Sequence, residues 1–367
     1  MAQIALITDT HFGVRSDSGV VQEWQKKFLD EVFFPTLDKH QITHVLHGGD
    51  YGDRRKYINF STAQFIEHAY RAPLRRRGIT EHVIVGNHDC FLRESTHINS
   101  IEEVYRHDAS LVIHKDPTEI TIHDTEILLL PWICDSNRDA SMRYIRDSRC
   151  SVVLGHLEIS GFQMYRGMPN HEGLQPELFD RFSVVMSGHF HHRSSQGPIH
   201  YLGAPYAMVW SDYRDPRGFH LFDTDTHMLT FIENPYSMFA RLVYDDEQQP
   251  TTYVEQTLAS ILSPSSPYTN AYVKVVVKSK TQPYWFDLIM DALAKINAQD
   301  VMVVDDVTAQ TEDGTELPEH VSADIDTLSL MTDYVSGLSV TCDKIELQTY
   351  LQNTYREALT QSQSARV

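Results

Sequence analysis

The chain has 367 residues, enough for two or three domains that each bury a core of their own. With 41% hydrophobic and 22% charged residues, 17 Gly and 15 Pro, it is neither a disulfide-stapled miniprotein, a collagen-like chain nor a largely disordered one. Its 50 acidic and 31 basic residues give a formal charge of -19, which by itself disfavours nucleic acids and anionic membranes.

The cysteines and the lengths of the apolar runs indicate the cellular compartment of the protein. Four scattered cysteines form no CxxC pair, which favours a reducing compartment. No apolar run approaches the roughly 18 residues that span a bilayer, and the first residues lack the long apolar core of a signal peptide. We therefore expect a cytoplasmic protein that does not bind membranes.

Short apolar runs alternate with helical patterns through the first half of the chain. Residues 20–39 and 61–77 carry apolar side chains at the spacing of helices that lie on a sheet. The apolar runs are brief and rich in β-branched residues, so they predict buried strands at residues 4–7, 45–46, 83–85, 152–154 and 184–186. Strands that alternate with helices predict an α/β layered core.

A polar string follows each of these runs. The strings are TDTH, HGGD, GNHD, GHLE and SGHFHH, and side chains beyond the carboxyl ends of strands collect at one edge of an α/β sheet. Carboxylate, amide and imidazole donors without thiolate suit manganese, iron or zinc. So many donors fit two ions about 3.5 to 4 Å apart that share a bridging carboxylate, for which Asp50 is the candidate. The candidate metal ligands are Asp9, His11, Asp50, Asn87, His156, His189 and His191.

Other polar residues of these strings are candidates for catalysis. His88 follows Asn87 directly and therefore points away from that ion, which makes it a candidate general acid or transition-state stabiliser. Asp53 is a candidate to hold the His88 imidazole and raise its pKa. Arg54 either clamps a phosphate oxygen or forms a plain surface salt bridge. His192 has no evident ligand geometry, and we expect it to face solvent.

The second half of the chain has a different pattern. From about residue 199, strand-like segments without helices predict a second sheet that closes the core. Residues 271–304 predict a strand, a helix and a strand. An acidic stretch without Lys or Arg then predicts a solvated linker, and two amphipathic helices follow it. These helices are too short to bury themselves, so they either dock on a partner or fold back on the main body.

The motifs DTH, GGD, GNHD, GH and GHFH resemble those of the calcineurin-like metallophosphoesterase superfamily, over roughly residues 1–235. The resemblance implies a four-layer α/β/β/α sandwich with a small α+β capping domain and C-terminal helices. It also implies a two-metal site. By this resemblance Asp9, His11, Asp50 and His191 hold one ion, while Asp50, Asn87, His156 and His189 hold the other.

The residues after the last ligands, YLGAPYAMVWSDYRDPRGFHLFDTDTH, are similar to those of nuclease subunits of double-strand-break repair complexes. These are the bacterial SbcD type and the recombination endonuclease subunit of tailed phages, and LPWICDSN and DPRGFHLFDT are most similar to the phage members. The resemblance implies a nuclease domain at 1–240, a DNA-contacting capping domain at 241–306, an acidic linker at 307–325 and a helical element at 326–367 that binds an SMC-like ABC ATPase.

The expected function is that of a DNA exonuclease and endonuclease subunit in repair and recombination. The resemblance implies two divalent ions, manganese or else magnesium, a bridging hydroxide as nucleophile, and a homodimer through helices of the nuclease domain. If the chain is phage-encoded, it would act in the host cell cytoplasm. The alternative is a stand-alone phosphatase or small-molecule phosphodiesterase, and a scaffold without activity is disfavoured by the complete ligand set. Some cellular relatives have a second histidine where this chain has Asp53, so their two-histidine mechanism does not carry over.

Overall fold

The computed structural model describes residues 2–165, 168–305, 335, 343–345, 347–351 and 354. The predicted linker 307–325 lies outside the described residues, as does most of the predicted element 326–367.

The chain divides into two compact units. Unit 1 comprises Met1–Ala240, Pro267–Tyr272 and Ile296–Asp300, and unit 2 comprises Arg241–Ser266, Val273–Lys295 and Val301–Val367. Within the described ranges, no helix has the length and apolar character needed to cross a membrane.

The strands and helices follow one another in short segments. The strands are β1 (Gln3–Ile7), β2 (His44–His47), β3 (Thr80–Ile84), β4 (Cys90–Leu92), β5 (Ser95–Asn99), β6 (Leu111–His114), β7 (Thr118–Ile122), β8 (Thr125–Leu130), β9 (Val152–His156), β10 (Gln163–Tyr165), β11 (Met168–Pro169), β12 (Val184–Gly188), β13 (Ser194–Gln196), β14 (Ile199–Tyr201), β15 (Gly218–Asp223), β16 (Leu229–Glu233), β17 (Phe239–Asp245), β18 (Tyr272–Ser279) and β19 (Asp300–Asp305). The helices are α1 (Val14–Asp17), α2 (Gly19–Phe28), α3 (Phe34–Lys39), α4 (Phe60–Ile66), α5 (Ala72–Arg76), α6 (Ser100–Tyr105), α7 (Arg138–Asp147), α8 (Thr252–Ile261) and α9 (Pro283–Lys295). Single π-helical turns, Leu29–Phe33 and Glu67–Arg71, join α2 to α3 and α4 to α5.

Unit 1 contains two six-stranded sheets. Sheet A has the order β16-β15-β1-β2-β3-β6. Its strands β1, β2, β3 and β6 are parallel to one another, β15 pairs antiparallel with β1, and β16 pairs antiparallel with β15. Sheet B has the order β13-β14-β12-β9-β8-β7, with a parallel centre and antiparallel edge strands β7 and β13.

The two sheets pack face to face because alternate side chains of each strand point to opposite sides. On β1, Ala5 and Ile7 pack with the helical residue Phe28, whereas Ile4 and Leu6 pack with residues of sheet B. Sheet B repeats this alternation, with its outer face packed on α7. The layers are therefore helix, sheet, sheet and helix, which confirms the predicted α/β/β/α sandwich.

The second sheet differs from its prediction. Of the segments after residue 199, only Ile199–Tyr201 joins sheet B, whereas β15 and β16 extend sheet A. The centre of sheet B is formed by β8, β9 and β12 instead. The prediction is wrong here because an apolar run predicts a strand but does not indicate which other strands pair with it in a sheet.

Unit 2 contains a three-stranded sheet in the order β17-β18-β19, together with α8 and α9. The predicted strand, helix and strand of residues 271–304 correspond to β18, α9 and β19. Helix α9 buries apolar residues at helical spacing, namely Phe286, Ile289, Ala292 and Leu293.

An ion pair is buried between the helices and sheet A of unit 1. The guanidinium of Arg71 is fully buried and donates to Glu81, which is also fully buried, and to Asp108 Oδ2 at 2.9 Å. Neighbouring Arg75 donates to the same Asp108 oxygen at 2.8 Å, but its side chain is 37% exposed.

We predict that Arg71→Ala lowers the free energy of unfolding by about 3 to 5 kcal/mol, because it leaves the buried Glu81 carboxylate without its cation. The matched control Arg75→Ala should cost less than about 1 kcal/mol, since an exposed ion pair contributes little. Urea unfolding followed by circular dichroism measures both changes. Equal losses in the two variants would contradict this account.

Candidate metal centre

The five polar strings converge from both sheets of unit 1. Three of them follow β1, β2 and β3 of sheet A, and two follow β9 and β12 of sheet B. The expectation of a single sheet edge is therefore corrected to the facing ends of two sheets. Backbone contacts tie the strings together, because Asp9 N–H donates to the Gly49 carbonyl at 2.9 Å and His189 N–H donates to the Asp9 carboxylate at 3.1 Å.

The first donor group consists of Asp9, His11 and His191. Their ligand atoms all lie within 4.8 Å of one another. Nε2 of His11 is 3.0 Å from Nε2 of His191, which in turn is 4.0 Å from Asp9 Oδ1. Two imidazole nitrogens and a carboxylate oxygen that converge in this way suit one side of a metal coordination shell.

The second donor group consists of Asp50, His156 and His189, whose ligand atoms also lie within 4.8 Å of one another. Asn87 joins this group, because its Oδ1 lies 2.8 Å from His156 Nε2 and 3.0 Å from His189 Nδ1. His156 Nδ1 contacts the Gly48 carbonyl at 2.8 Å. A hydrogen bond from Nδ1 to a carbonyl leaves Nε2 as the ligand atom, as in many histidine metal sites.

The carboxylate of Asp50, a member of the second donor group, also faces the first donor group. Its Oδ2 is 3.6 Å from His11 Nε2, and its Oδ1 is 3.4 Å from His156 Nε2. One carboxylate therefore faces both donor groups, which is the arrangement that a bridging ligand requires. The structure thus brings all seven predicted ligands together, and the oxygen and nitrogen donor set fits two divalent ions. That these residues hold metal stays a prediction.

The buried donors also compensate one another's charge. Burial raises the pKa of Asp9 to about 6. Burial opposes protonation of His11 and His156 as well, but the neighbouring carboxylates outweigh it and raise the pKa of each ring to about 9. Divalent cations would take over the role of these protons, which metal binding displaces.

The backbone at the predicted ligands is strained. Asp9, His11, Asp50 and His189 have φ angles of 52°, 39°, 51° and 84°, in the left-handed region that non-glycine residues rarely adopt. Backbone strain of this kind clusters at functional sites, where the surrounding structure holds it in place. Four strained residues among the seven predicted ligands therefore support a functional role for the cluster.

Close approach of the loops requires glycine at Gly86. A Cβ atom at this position would lie 2.2 Å from the Asp50 nitrogen and 2.3 Å from Asp50 Oδ1. No side chain fits in this space, so the loop that carries Asn87 can pack against Asp50 only with glycine there.

The structure corrects the predicted contact between Asp53 and His88. His88 Nδ1 lies 2.7 Å from the backbone carbonyl of Asp53, whereas the Asp53 carboxylate lies 3.3 Å from His11 Nδ1. Burial lowers the pKa of His88 instead of the expected increase. The Asp53 side chain therefore orients a predicted ligand, and its main chain orients His88.

Two further expectations have clear outcomes. Arg54 donates to Asp17 Oδ2 and to the Tyr57 hydroxyl, both at 2.8 Å, so the salt-bridge alternative is the one observed. His192 does not face solvent freely, because its side chain is 19% exposed and its Nδ1 lies 3.0 Å from Asp215 Oδ2.

Further residues, not identified from the sequence, position the predicted ligands. Asp89 is fully buried and accepts backbone N–H groups from Tyr51 at 3.0 Å, Gly52 at 3.1 Å and Gly86 at 2.9 Å, so it ties the Asp50 loop to the Asn87 loop. Burial raises the pKa of Asp89 to about 7. In the sequence, Asp89 is marked only by its place as the last residue of the GNHD string.

Arg217 and Trp132 contact the loop that carries His189 and His191. The Arg217 guanidinium donates to the His191 carbonyl and is held by Asp212 at 2.7 Å. The Trp132 ring packs on the His189 ring with centroids 5.0 Å apart. Both lie in strings, DPRG and LPW, that the sequence analysis used only for resemblance.

Known proteins and a protein family resemble this chain. The family described as calcineurin-like phosphoesterase matches residues 2–193, which contain every predicted ligand and His88. Exonuclease subunit 1 of Enterobacteria phage T4 is 33% identical over 245 residues, 66% of this chain and 70% of that protein. A solved structure described as a novel archaeal phosphodiesterase covers 63% of this chain and 99% of its own, with 13% identity and a TM-score of 0.33.

Proposed function

This chain belongs to the calcineurin-like phosphoesterase family, and on that premise we propose that it is a metal-dependent nuclease that hydrolyses phosphodiester bonds in DNA. The observation that carries the proposal is the Asp50 carboxylate between two donor groups, 3.6 Å from His11 Nε2 and 3.4 Å from His156 Nε2. A pair of sites that share a carboxylate suits in-line displacement at phosphorus.

The preference for DNA rests on the relative that is a phage exonuclease subunit, since the metal donors themselves are compatible with many phosphate esters. By the same relationship we propose that the chain works as one subunit of a complex. Its partners would be an SMC-like ABC ATPase, bound through residues 326–367, and a second copy of the nuclease domain. DNA repair and recombination in the cytoplasm would be its setting.

The domain roles are part of the proposal. Residues 1–240 would form the nuclease domain and residues 241–306 the capping domain that contacts DNA. The acidic linker at 307–325 would then connect them to the ATPase-binding element.

Two divalent ions, manganese in preference to magnesium, would polarise a phosphoryl oxygen and activate water for attack at phosphorus. The first donor group and Asp50 would hold one ion, and Asp50, Asn87, His156 and His189 would hold the other. The protein's own part is to hold these donors rigid, as the Gly48 carbonyl does for His156 and the Asp53 carboxylate does for His11.

His88 is the proposed proton donor or charge stabiliser for the leaving oxygen. Its Nδ1 donates to the Asp53 carbonyl at 2.7 Å, which fixes the tautomer and leaves Nε2 for the substrate. Its backbone N–H donates to Asp50 Oδ1 at 2.8 Å, so the imidazole is anchored beside the proposed bridging ligand. His88 also forms a group with His11 and Asp53 whose potential ligand atoms lie within 4.8 Å of one another, and the proposal assigns His88 to proton donation and not to metal binding.

We predict that the full chain with Mn²⁺ degrades linear DNA and cleaves bis(p-nitrophenyl) phosphate faster than p-nitrophenyl phosphate, because a nuclease stabilises the transition state of a diester. Parallel assays with Mn²⁺, Mg²⁺ and EDTA, on linear and circular DNA, measure this preference. Faster cleavage of the monoester with no action on DNA would replace the proposal by the phosphatase alternative.

A second prediction concerns His88. His88→Ala should keep its bound manganese but slow diester hydrolysis by about 10² to 10⁴, the range expected for loss of a general acid. Metal analysis and kcat measured on the same preparation separate the two effects. The exposed His97 offers a matched control, and His97→Ala should leave both values unchanged. Loss of metal in His88→Ala would make His88 a ligand instead.

A further inference from the structure

A cavity of about 330 Å³ lies in unit 1 and involves none of the predicted metal ligands. Its lining comes from the edge strand of each sheet and the strand next to it, β13 and β14 of sheet B and β16 and β15 of sheet A, and from the residues beside them. We name it the edge cavity, and the residues that matter here are Arg193, Ser195, His200, His220, His227 and Phe231. Its volume lies at the lower end of the range for small-molecule sites.

The charged side chain that lines the edge cavity is a cation, Arg193, whereas the chain as a whole is acidic. The protein carries a formal charge of -19, yet no Asp or Glu is among the described residues that line this cavity. The guanidinium of Arg193 lies over the Phe231 ring at 4.2 Å and has no carboxylate partner in the described part of the chain. Within the described ranges, seven other arginines of unit 1 form ion pairs, namely Arg54, Arg71, Arg75, Arg77, Arg106, Arg146 and Arg217. An arginine left unpaired in a concave site favours an anionic ligand.

The histidines of the edge cavity add hydrogen-bonding groups. His220 is 5% exposed, and burial, together with the charge of Arg193, lowers its pKa to about 3. Its Nδ1 is buried and has no hydrogen-bond partner within the described ranges. Buried polar atoms without a partner are rare in proteins and call for an explanation. His200 is held by Ser195, whose Oγ lies 2.9 Å from His200 Nδ1.

Among the described residues, the lining therefore combines a cation that stacks on Phe231 without a carboxylate partner, several imidazoles and an aromatic ring. A bare phosphate ion would use the cation but not the apolar surface, and an uncharged base would leave the cation without a partner. A molecule that carries both a phosphate and a flat heterocycle uses all three features. Arg193 also lies only two residues after His191 in the chain.

We propose that the edge cavity binds a mononucleotide, with Arg193 taking the phosphate and the Phe231 and histidine surface taking the base. The choice of a nucleotide rests on the proposed function, because hydrolysis of DNA by an exonuclease releases this class of product. The site would retain or sense the product beside the centre that generates it.

The test is equilibrium binding of thymidine 5′-monophosphate to the full chain in EDTA, measured by isothermal titration calorimetry. Arg193→Met removes the charge and keeps an unbranched stem over Phe231, so it should weaken binding at least tenfold without loss of thermal stability. Arg214 also lies over an aromatic ring, at 5.4 Å from the Tyr213 centroid, but outside the cavity. The control Arg214→Met should therefore bind like the unmodified chain.

Thymidine and inorganic phosphate serve as the two partial ligands, and each should bind at least tenfold more weakly than the nucleotide. Equal binding of the nucleotide by Arg193→Met and the unmodified chain would overturn the proposal, as would phosphate that binds as tightly as the nucleotide. If the chain cleaves DNA but binds no nucleotide, the edge-cavity proposal alone fails. If it binds the nucleotide through Arg193 but cleaves no DNA, the edge cavity stands as a nucleotide site and the proposed function fails.

Discussion

The buried carboxylates of Asp9 and Asp50 set the constraint around which unit 1 is built. Neither residue is more than 1% exposed, so each charge must be matched by groups inside the protein. Imidazoles from both sheets supply that match, and the loops reach it only with left-handed backbone at Asp9 and Asp50 and with no side chain at Gly86. The two sheets of the sandwich hold these loops in place, which is how a common fold brings the candidate metal ligands together.

Much of this arrangement could be predicted from the sequence, because each central strand is a short apolar run followed at once by a polar string. The pattern located β1, β2, β3, β9 and β12, and it placed the predicted ligands beyond them, where the structure brings them together. It could not assign these strands to two sheets, since a period of two identifies a strand but not its neighbours. For the same reason β15 and β16 were expected in a second sheet, whereas they extend the first.

Side-chain directions in loops were beyond the reach of spacing arguments. Asp53 was expected to hold His88, yet its carboxylate lies against His11 and only its carbonyl reaches His88. The contact of His192 with Asp215 was missed because loop residues have no period that reports burial. Supporting residues such as Asp89 and Arg217 resemble ordinary polar loop residues in sequence, and only their buried contacts with the ligand loops identify them.

The central claim is that Asp50 joins two metal positions, and the most direct test is electron paramagnetic resonance of the manganese-loaded chain with metal analysis of the same sample. The account predicts two Mn²⁺ ions per chain with the exchange-coupled spectrum of ions that share a bridging ligand. Asp50→Asn should lose at least one ion and abolish the coupling. One ion per chain, or two uncoupled ions that Asp50→Asn leaves unchanged, would contradict the account.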